Sequence, residues 1–177
     1  MKAGLLIASP QMLDPYFERA VVLLCNFDEE GAVGVIINKA GPITIGDVTA
    51  EVKVAPPLHA DEETWWGGPV GRGTCFVIWR GRTRGDEGWT ISEEIAVSQS
   101  LQRLEDLVQR RKHFHVSIGY AGWGAAQLTS EIERGSWLLV EADPALLFET
   151  PLDERYDRAL ALLGLTASTV IMQPGDA

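Results

Sequence analysis

The sequence predicts a single α+β domain spanning residues 1–177. Two observations carry this. The first forty residues read as β structure and later segments mix helix with strand, without the strict βαβα alternation of a doubly wound fold. The length of 177 residues, with 46% apolar and 23% charged side chains, suits one sizeable core rather than two.

Element by element, GLLIAS (residues 4–9) is a short apolar run followed by a loop holding Pro10 and Pro15. AVVLLCNF (20–27) and VGVIINK (33–39) flank the turn DEEGA, which predicts a hairpin. Their near-continuous apolarity predicts cover on both faces. Gly41-Pro42 is expected to break the second strand, and residues 45–52 to form a short helix. Residues 53–73, rich in Pro, Gly and acid, are the least regular part of the chain and read as a long surface loop. TCFVIW (74–79) is a strand, RGRTRGDEGW a polar turn, and WTISEEIAVS the returning strand. Ser98 or Ser100 caps a helix burying Leu101, Leu104, Leu107 and Val108 and closed by Arg110, Arg111 and Lys112. HFHVSI (113–118) is a strand. GYAGWG reads as a glycine loop, and Leu128, Glu131 and Ile132 as a helix stopped at Gly135. SWLLVEA is a strand. A last helix starts near Asp153, buries Tyr156, Ala159, Leu160 and Leu163, and ends at Gly164.

A net charge of −10 and a pI near 4.7 repel a polyanion on average. Apolar runs stay under ten residues, far short of a bilayer span. The run at residues 3–8 is too short for a signal-peptide core, and the chain reads as cytoplasmic. Cys25 and Cys75 have no CxxC spacing and read as two buried thiols.

Four constellations are candidates for chemistry. The glycines of GYAGWG follow GxxGxG, not the GxGxxG of a dinucleotide site, although Glu141 stands 22 residues past Gly119. Ser117 in HVSIG cannot head a hydrolase with the order Ser, acid, His, because no histidine follows His115. His113 and His115, spaced i, i+2, share a strand face and suit a metal, with His59, Asp61, Glu62 and Glu63 as further ligands. Arg80, Arg82 and Arg84 between Trp79 and Trp89 suggest a basic finger for nucleic acid, partly cancelled by Asp86 and Glu87.

Three stretches together resemble the YqgE/AlgH family of small bacterial proteins. They are ASPQMLDPYFERAVVLLCNFDEEGAVGVIINK, GGPV at residues 67–70 and GYAGWGAAQLTSEIERGSWL. Carried over by position, the family pattern falls on Ser9, Pro10, Asp14, Phe17, Gly31, Asn38, Gly68, Pro69, Gly119, Tyr120, Gly122, Trp123, Gln127, Leu128, Glu131 and Trp137. Ala126 stands where the family usually has glycine, and Thr129 where it often has Glu nearby. His113 and His115 lie outside the pattern. The resemblance implies an α+β domain with a mixed, branched sheet partly closed into a small barrel and flanked by helices. It implies no known reaction and no cofactor. One branch carries the label of transcriptional regulator, a genetic role rather than a DNA contact.

The expectation is therefore a regulatory or binding protein without an established catalytic activity. Asp14, Asn38, Tyr120, Gln127 and Glu131 are expected to converge on one surface, because packing at glycine- and aromatic-rich corners needs no carboxylate or amide. The expected partner is a protein or a small ligand. The alternatives are a hydrolase assisted by a metal at His113 and His115, and a transcriptional regulator acting through nucleic acid or a protein.

Overall fold

The computed structural model describes residues 4–166. Among them, ten strands and five helices follow one another along the chain. Strands β1 (Leu5–Ala8), β2 (Val21–Asp28), β3 (Gly31–Ile36) and β4 (Ala40–Thr44) lead into helix α1 (Ile45–Glu51). Next come β5 (Glu63–Trp66), β6 (Val70–Trp79), β7 (Gly88–Ser92), β8 (Ile95–Ser98) and helix α2 (Leu101–Gln109). The chain continues through β9 (Phe114–Gly124), α3 (Gln127–Glu133), β10 (Trp137–Val140), α4 (Pro144–Phe148) and α5 (Arg155–Ala161).

All but one of the strand contacts are antiparallel, and β9 is the hub. One edge of β9 pairs with β6 from Trp79↔Phe114 to Val70↔Tyr120. Its other edge first takes β5, in parallel, at Trp65↔Ser117, and then β3 from Gly34↔Ala121 to Gly31↔Gly124. The sheet is thus mixed and branched, with β4 hanging on β5. The expected partial barrel is absent. The strand path runs openly from β10 to β7, and no pairing joins these ends. The end strands are short, and the β7–β8 register is irregular between Thr90 and Ser92, which blunts that edge against further pairing.

The predicted β2–β3 hairpin forms, with Asp28 opposite Gly31. Every residue of β1 is fully buried, as near-continuous apolarity requires of a strand covered on both faces. The main core joins β1, β2 and β3 to Leu128, Leu146, Leu147, Tyr156 and Leu160. Each large aliphatic or aromatic side chain buried this way contributes about 1.5–3 kcal/mol. A second cluster packs Ile45 and Val48 of α1 and Leu104 and Leu107 of α2 on Val77, Trp79, Phe114 and Val116. α5 is fastened from below: Tyr156 Oη donates to Ala8 O at 2.7 Å. Buried Arg155 donates to Thr150 O, Leu147 O and Ile37 O.

Ser100 is the α2 cap, through Oγ accepting from Arg103 N. Leu101 lies outside the buried stripe, and so does Leu163 beyond α5. Four elements differ from the sequence reading. Gly41-Pro42 sits inside β4, where Pro can stand because the β4–β5 ladder is interrupted there. The supposed loop at 53–73 contains β5 and the start of β6. The returning strand at 89–98 is a hairpin, broken at Glu93-Glu94 into β7 and β8. The largest change concerns GYAGWG. These six residues are the second half of β9, and the corner to α3 is Ala125-Ala126. Glycine is needed there because β9 runs against the backbone of Gly67-Gly68. Gly119 has φ +77°, and a Cβ on it would lie 2.6 Å from Gly68 O. A Cβ on Gly68 would lie 2.1 Å from Tyr120 O. Two of the resemblance motifs are therefore the two sides of one backbone crossing.

Candidate functional site

A hollow of about 440 Å³ opens where the loop before β2, the end of β9 and helix α3 meet. Asp14 and Phe17 come from the loop, Gly122 and Trp123 from β9, and Gln127 and Glu131 from α3. Trp137, at the start of β10, closes the floor.

The loop is shaped by local hydrogen bonds. Ser9 Oγ accepts from Gln11 N at 3.3 Å, and Ser9 N donates to Ser136 O, tying the loop's start to the end of α3. Asp14 Oδ1 accepts from Tyr16 N at 2.8 Å and Phe17 N at 3.2 Å, the turn for which short carboxylates are suited. That turn points Phe17 inward, where it meets Trp137 edge-on at 5.7 Å and Trp123 at 6.3 Å. Trp123 and Trp137 meet edge to face at 5.9 Å.

The floor is organised around Glu131. Its Oε2 accepts from Trp123 Nε1 at 2.9 Å and Trp137 Nε1 at 3.0 Å. Its Oε1 accepts from Gln127 Nε2 at 3.2 Å, and Gln127 Oε1 in turn accepts from Gly124 N at 2.9 Å. Charge-assisted bonds of this kind are the strong ones. Helix α3 is closed by a Schellman motif, with Gly135 at φ +79°, Gly135 N donating to Ile132 O and Ser136 N to Glu131 O. The N-cap of α3 is Ala126, held left-handed at φ +62° with no side-chain cap. This is the position at which the resemblance expects glycine.

Asp14, Gln127 and Glu131 are thus brought to one hollow with Phe17, Gly122, Trp123 and Trp137. Asn38 and Tyr120 are not. Asn38 Oδ1 accepts from Val21 N and its Nδ2 donates to Arg19 O, both at 2.8 Å, so its amide replaces a backbone partner beyond β3. Tyr120 packs edge-on against Phe76 and fills the space beside Gly71. Gly31 and Leu128 also serve the fold. A Cβ on Gly31 would lie 2.3 Å from Trp123 O, and Leu128 is core. Pro10 stands in the turn that opens the loop, and Pro69 joins the Gly67-Gly68 crossing to β6. Sequence reasoning missed Met12, Arg134 and Ser136, which complete the lining. Arg134 was legible as the third member of a helical stripe with Gln127 and Glu131, at i, i+4 and i+7.

The metal alternative meets a different arrangement. His59, His113 and His115 do gather, with ring centroids 4.3 Å and 4.8 Å apart in succession. His113 Nε2 is engaged by both oxygens of Glu62 at 2.9 and 3.1 Å, and His59 Nε2 accepts from Phe114 N. Among the described residues, no group of three or more His, Cys, Asp and Glu side chains is placed to hold a metal ion. His115 is stacked between Trp65 and Phe148, with Nε2 buried and unbonded. Burial, then the neighbouring His113, Arg155 and His59, drives its pKa down to about 3. Two members of the basic finger are paired, Arg80 with Glu94 and Glu149 and Arg82 with Glu93, while the Arg84 guanidinium has no ion pair among the described residues. Cys25 is buried and its thiol pushed up to about 12, whereas Cys75 is half-buried rather than buried. No helix among the described residues is long and apolar enough to cross a membrane.

Comparison with known proteins agrees with this architecture. Residues 5–168 match the family described as AlgH-like. A UPF0301 protein of Photobacterium profundum is 36% identical over 97% of this chain and 96% of its own length. One of Vibrio vulnificus shows the same identity and the same coverage. The solution structure of the AlgH protein from Pseudomonas aeruginosa superposes with a TM-score of 0.77 at 33% identity, covering 99% of this chain and 95% of that one. A crystal structure of a Corynebacterium diphtheriae protein, at 19% identity, shares the fold with a TM-score of 0.73 over 90% of this chain and 86% of that one. By sequence and by fold, the chain belongs to the AlgH-like family.

Proposed function

We propose that this protein is a binding protein with a regulatory output, and that its ligand site is the hollow over Glu131. The observation that supports this is the arrangement of polar groups around aromatic walls. Glu131 is held by three side-chain N–H donors at the floor of a cavity of ligand size, with Asp14 on the loop above it. The loop that roofs the hollow also presents Leu13 at 86% exposure, beside inward-turned Phe17. A change in this loop on occupancy of the hollow is the route by which we propose that binding reaches a protein partner.

The test is a melting-temperature screen against nucleotides, metals and metabolites, with each hit repeated on Gly122→Phe. Gly122 lines the hollow, and its own Cβ would meet nothing closer than Tyr120 Cε2 at 3.8 Å, so a bulky side chain can be added at the hollow's edge without a backbone clash at Cβ. A ligand of the folded state raises the wild-type melting temperature. The proposal expects that rise to vanish in Gly122→Phe. A rise that survives the substitution places the binding site elsewhere and overturns the reading.

A further inference from the structure

Resting on that reading, the chemistry of the unspent groups narrows what the hollow takes. Much of its polarity is already used. Glu131 Oε2 is occupied by two indole N–H groups, and Oε1 by Gln127. Gln127 Oε1 is occupied by Gly124 N. Asp14 Oδ1 serves the loop turn. Two charged groups keep unused hydrogen-bonding capacity, although Asp14 also stands in the field of the Lys39 ammonium. Asp14 Oδ2 has no hydrogen bond among the described residues. The Arg134 guanidinium lines the same cavity as Asp14 and Glu131, yet forms neither an ion pair nor a hydrogen bond with any described residue. Between them the surface is apolar, from Met12, Phe17, Trp123 and Trp137.

A ligand carrying only a cation would be drawn to Asp14 and Glu131 and repelled by Arg134. A ligand carrying only an anion would meet the reverse. A molecule with one charge of each sign satisfies both. We infer that the hollow binds a small zwitterion, with an ammonium group at Asp14 and an oxyanion at Arg134. The oxyanion is a carboxylate or a phosphate, and the middle of the ligand lies on the aromatic wall. The cavity of about 440 Å³ admits a molecule of amino-acid to dipeptide size. With a carboxylate as the oxyanion the ligand has no net charge and its affinity falls little with salt, whereas a phosphate monoester keeps a net negative charge and, like a simple cation or anion, is screened more.

The experiment titrates the whole chain with free L-amino acids, dipeptides and phosphoethanolamine by calorimetry. Each probe is paired with its two truncated relatives, the amine lacking the acid and the acid lacking the amine. A zwitterion is expected to bind, and each truncated relative about tenfold or more weaker, the loss of one charge-assisted hydrogen bond. Asp14→Asn keeps the Oδ1 turn acceptor and removes the charge. Arg134→Gln removes an exposed cation that no described residue pairs with. Each variant is expected to weaken the zwitterion about tenfold while leaving its own truncated relative unaffected. Preference for carboxylates over phosphoethanolamine, or the reverse, identifies the oxyanion. The inference is overturned if no member of the panel binds, or if a singly charged relative binds as tightly as its parent. A hit of another class that Gly122→Phe abolishes would sink the zwitterion and leave the binding site standing. A zwitterion indifferent to Gly122→Phe, Asp14→Asn and Arg134→Gln would sink both.

Discussion

Trp123 Nε1 donates to Glu131 Oε2 at 2.9 Å, and the acceptor is shared with the indole of Trp137 at 3.0 Å. One carboxylate oxygen therefore ties the end of β9, helix α3 and the start of β10. Replacing Glu131 with Gln keeps the size but sets an amide donor towards Gln127 Nε2 or towards the indoles. The expected loss is about 1–3 kcal/mol of folding stability, read from the urea midpoint at unchanged slope. The indole N–H resonances of Trp123 and Trp137 are expected to move with it. A variant as stable as wild type would mean that the carboxylate contributes nothing to the corner.

Ala126 is held left-handed at φ +62°, a conformation that costs a side chain about 1–2 kcal/mol and glycine nothing. Ala126→Gly is therefore expected to stabilise the protein by about 1 kcal/mol, a rise of about 2–4 °C in Tm at this chain length. Differential scanning calorimetry reads this directly, and a fall in Tm would refute the assignment of the corner.

Gly119→Ala is expected to do the opposite. It combines φ +77° with a Cβ 2.6 Å from Gly68 O, a backbone atom that cannot step aside. Loss of soluble folded protein, or a drop of several kcal/mol, follows from strain plus overpacking. Wild-type stability in the variant would mean that the Gly67-Gly68 crossing is looser than described.

His115 predicts a pH dependence. Its folded-state pKa of about 3 lies below the ordinary histidine value, chiefly through burial and then through His113, Arg155 and His59. Glu62 Oε2 stands 4.0 Å from Nδ1, too far to offset this. The unfolded chain thus binds the extra proton first. Stability contributed by neutral His115 is complete above about pH 6.5 and is lost as pH falls towards 3, by at most about 1.4 kcal/mol per unit. His115→Phe keeps the stacking on Trp65 and Phe148 and removes the titration. Urea unfolding at pH 7.5 and pH 5 should show a smaller acid loss in the variant. An equal loss would assign the acid sensitivity to other groups.

These residues also show what the sequence could and could not convey. Burial of Val21 to Cys25 and the β2–β3 hairpin followed from apolar runs, because burial on two faces leaves a continuous signature. GYAGWG signals a loop locally through its three glycines, yet it is strand. Their cause is a crossing with Gly67-Gly68, some fifty residues away in sequence, which no local pattern encodes. Asp14, Gln127 and Glu131 stood out as polar groups at corners that packing alone does not require, and all three line the hollow. Asn38 carried the same signal but spends its amide on Val21 and Arg19, because a strand end with an unpaired N–H looks identical in sequence to a ligand contact. His113 and His115 looked like a chelating pair, yet Glu62 takes one and the stack of Trp65 and Phe148 buries the other.

The central claim, that the hollow over Glu131 is a ligand site, is tested most directly in the indole region of a ¹⁵N–¹H spectrum. The chain has six tryptophans, and only Trp123 and Trp137 donate to Glu131. On titration with a ligand found by the melting screen, those two indole signals are expected to shift together and to saturate. Those of Trp65, Trp79 and Trp89 stay in place, Trp66 is no control because it stacks on Tyr16 of the roofing loop, and none moves in Gly122→Phe. A ligand that stabilises the protein while the Trp123 and Trp137 signals remain fixed would contradict the account.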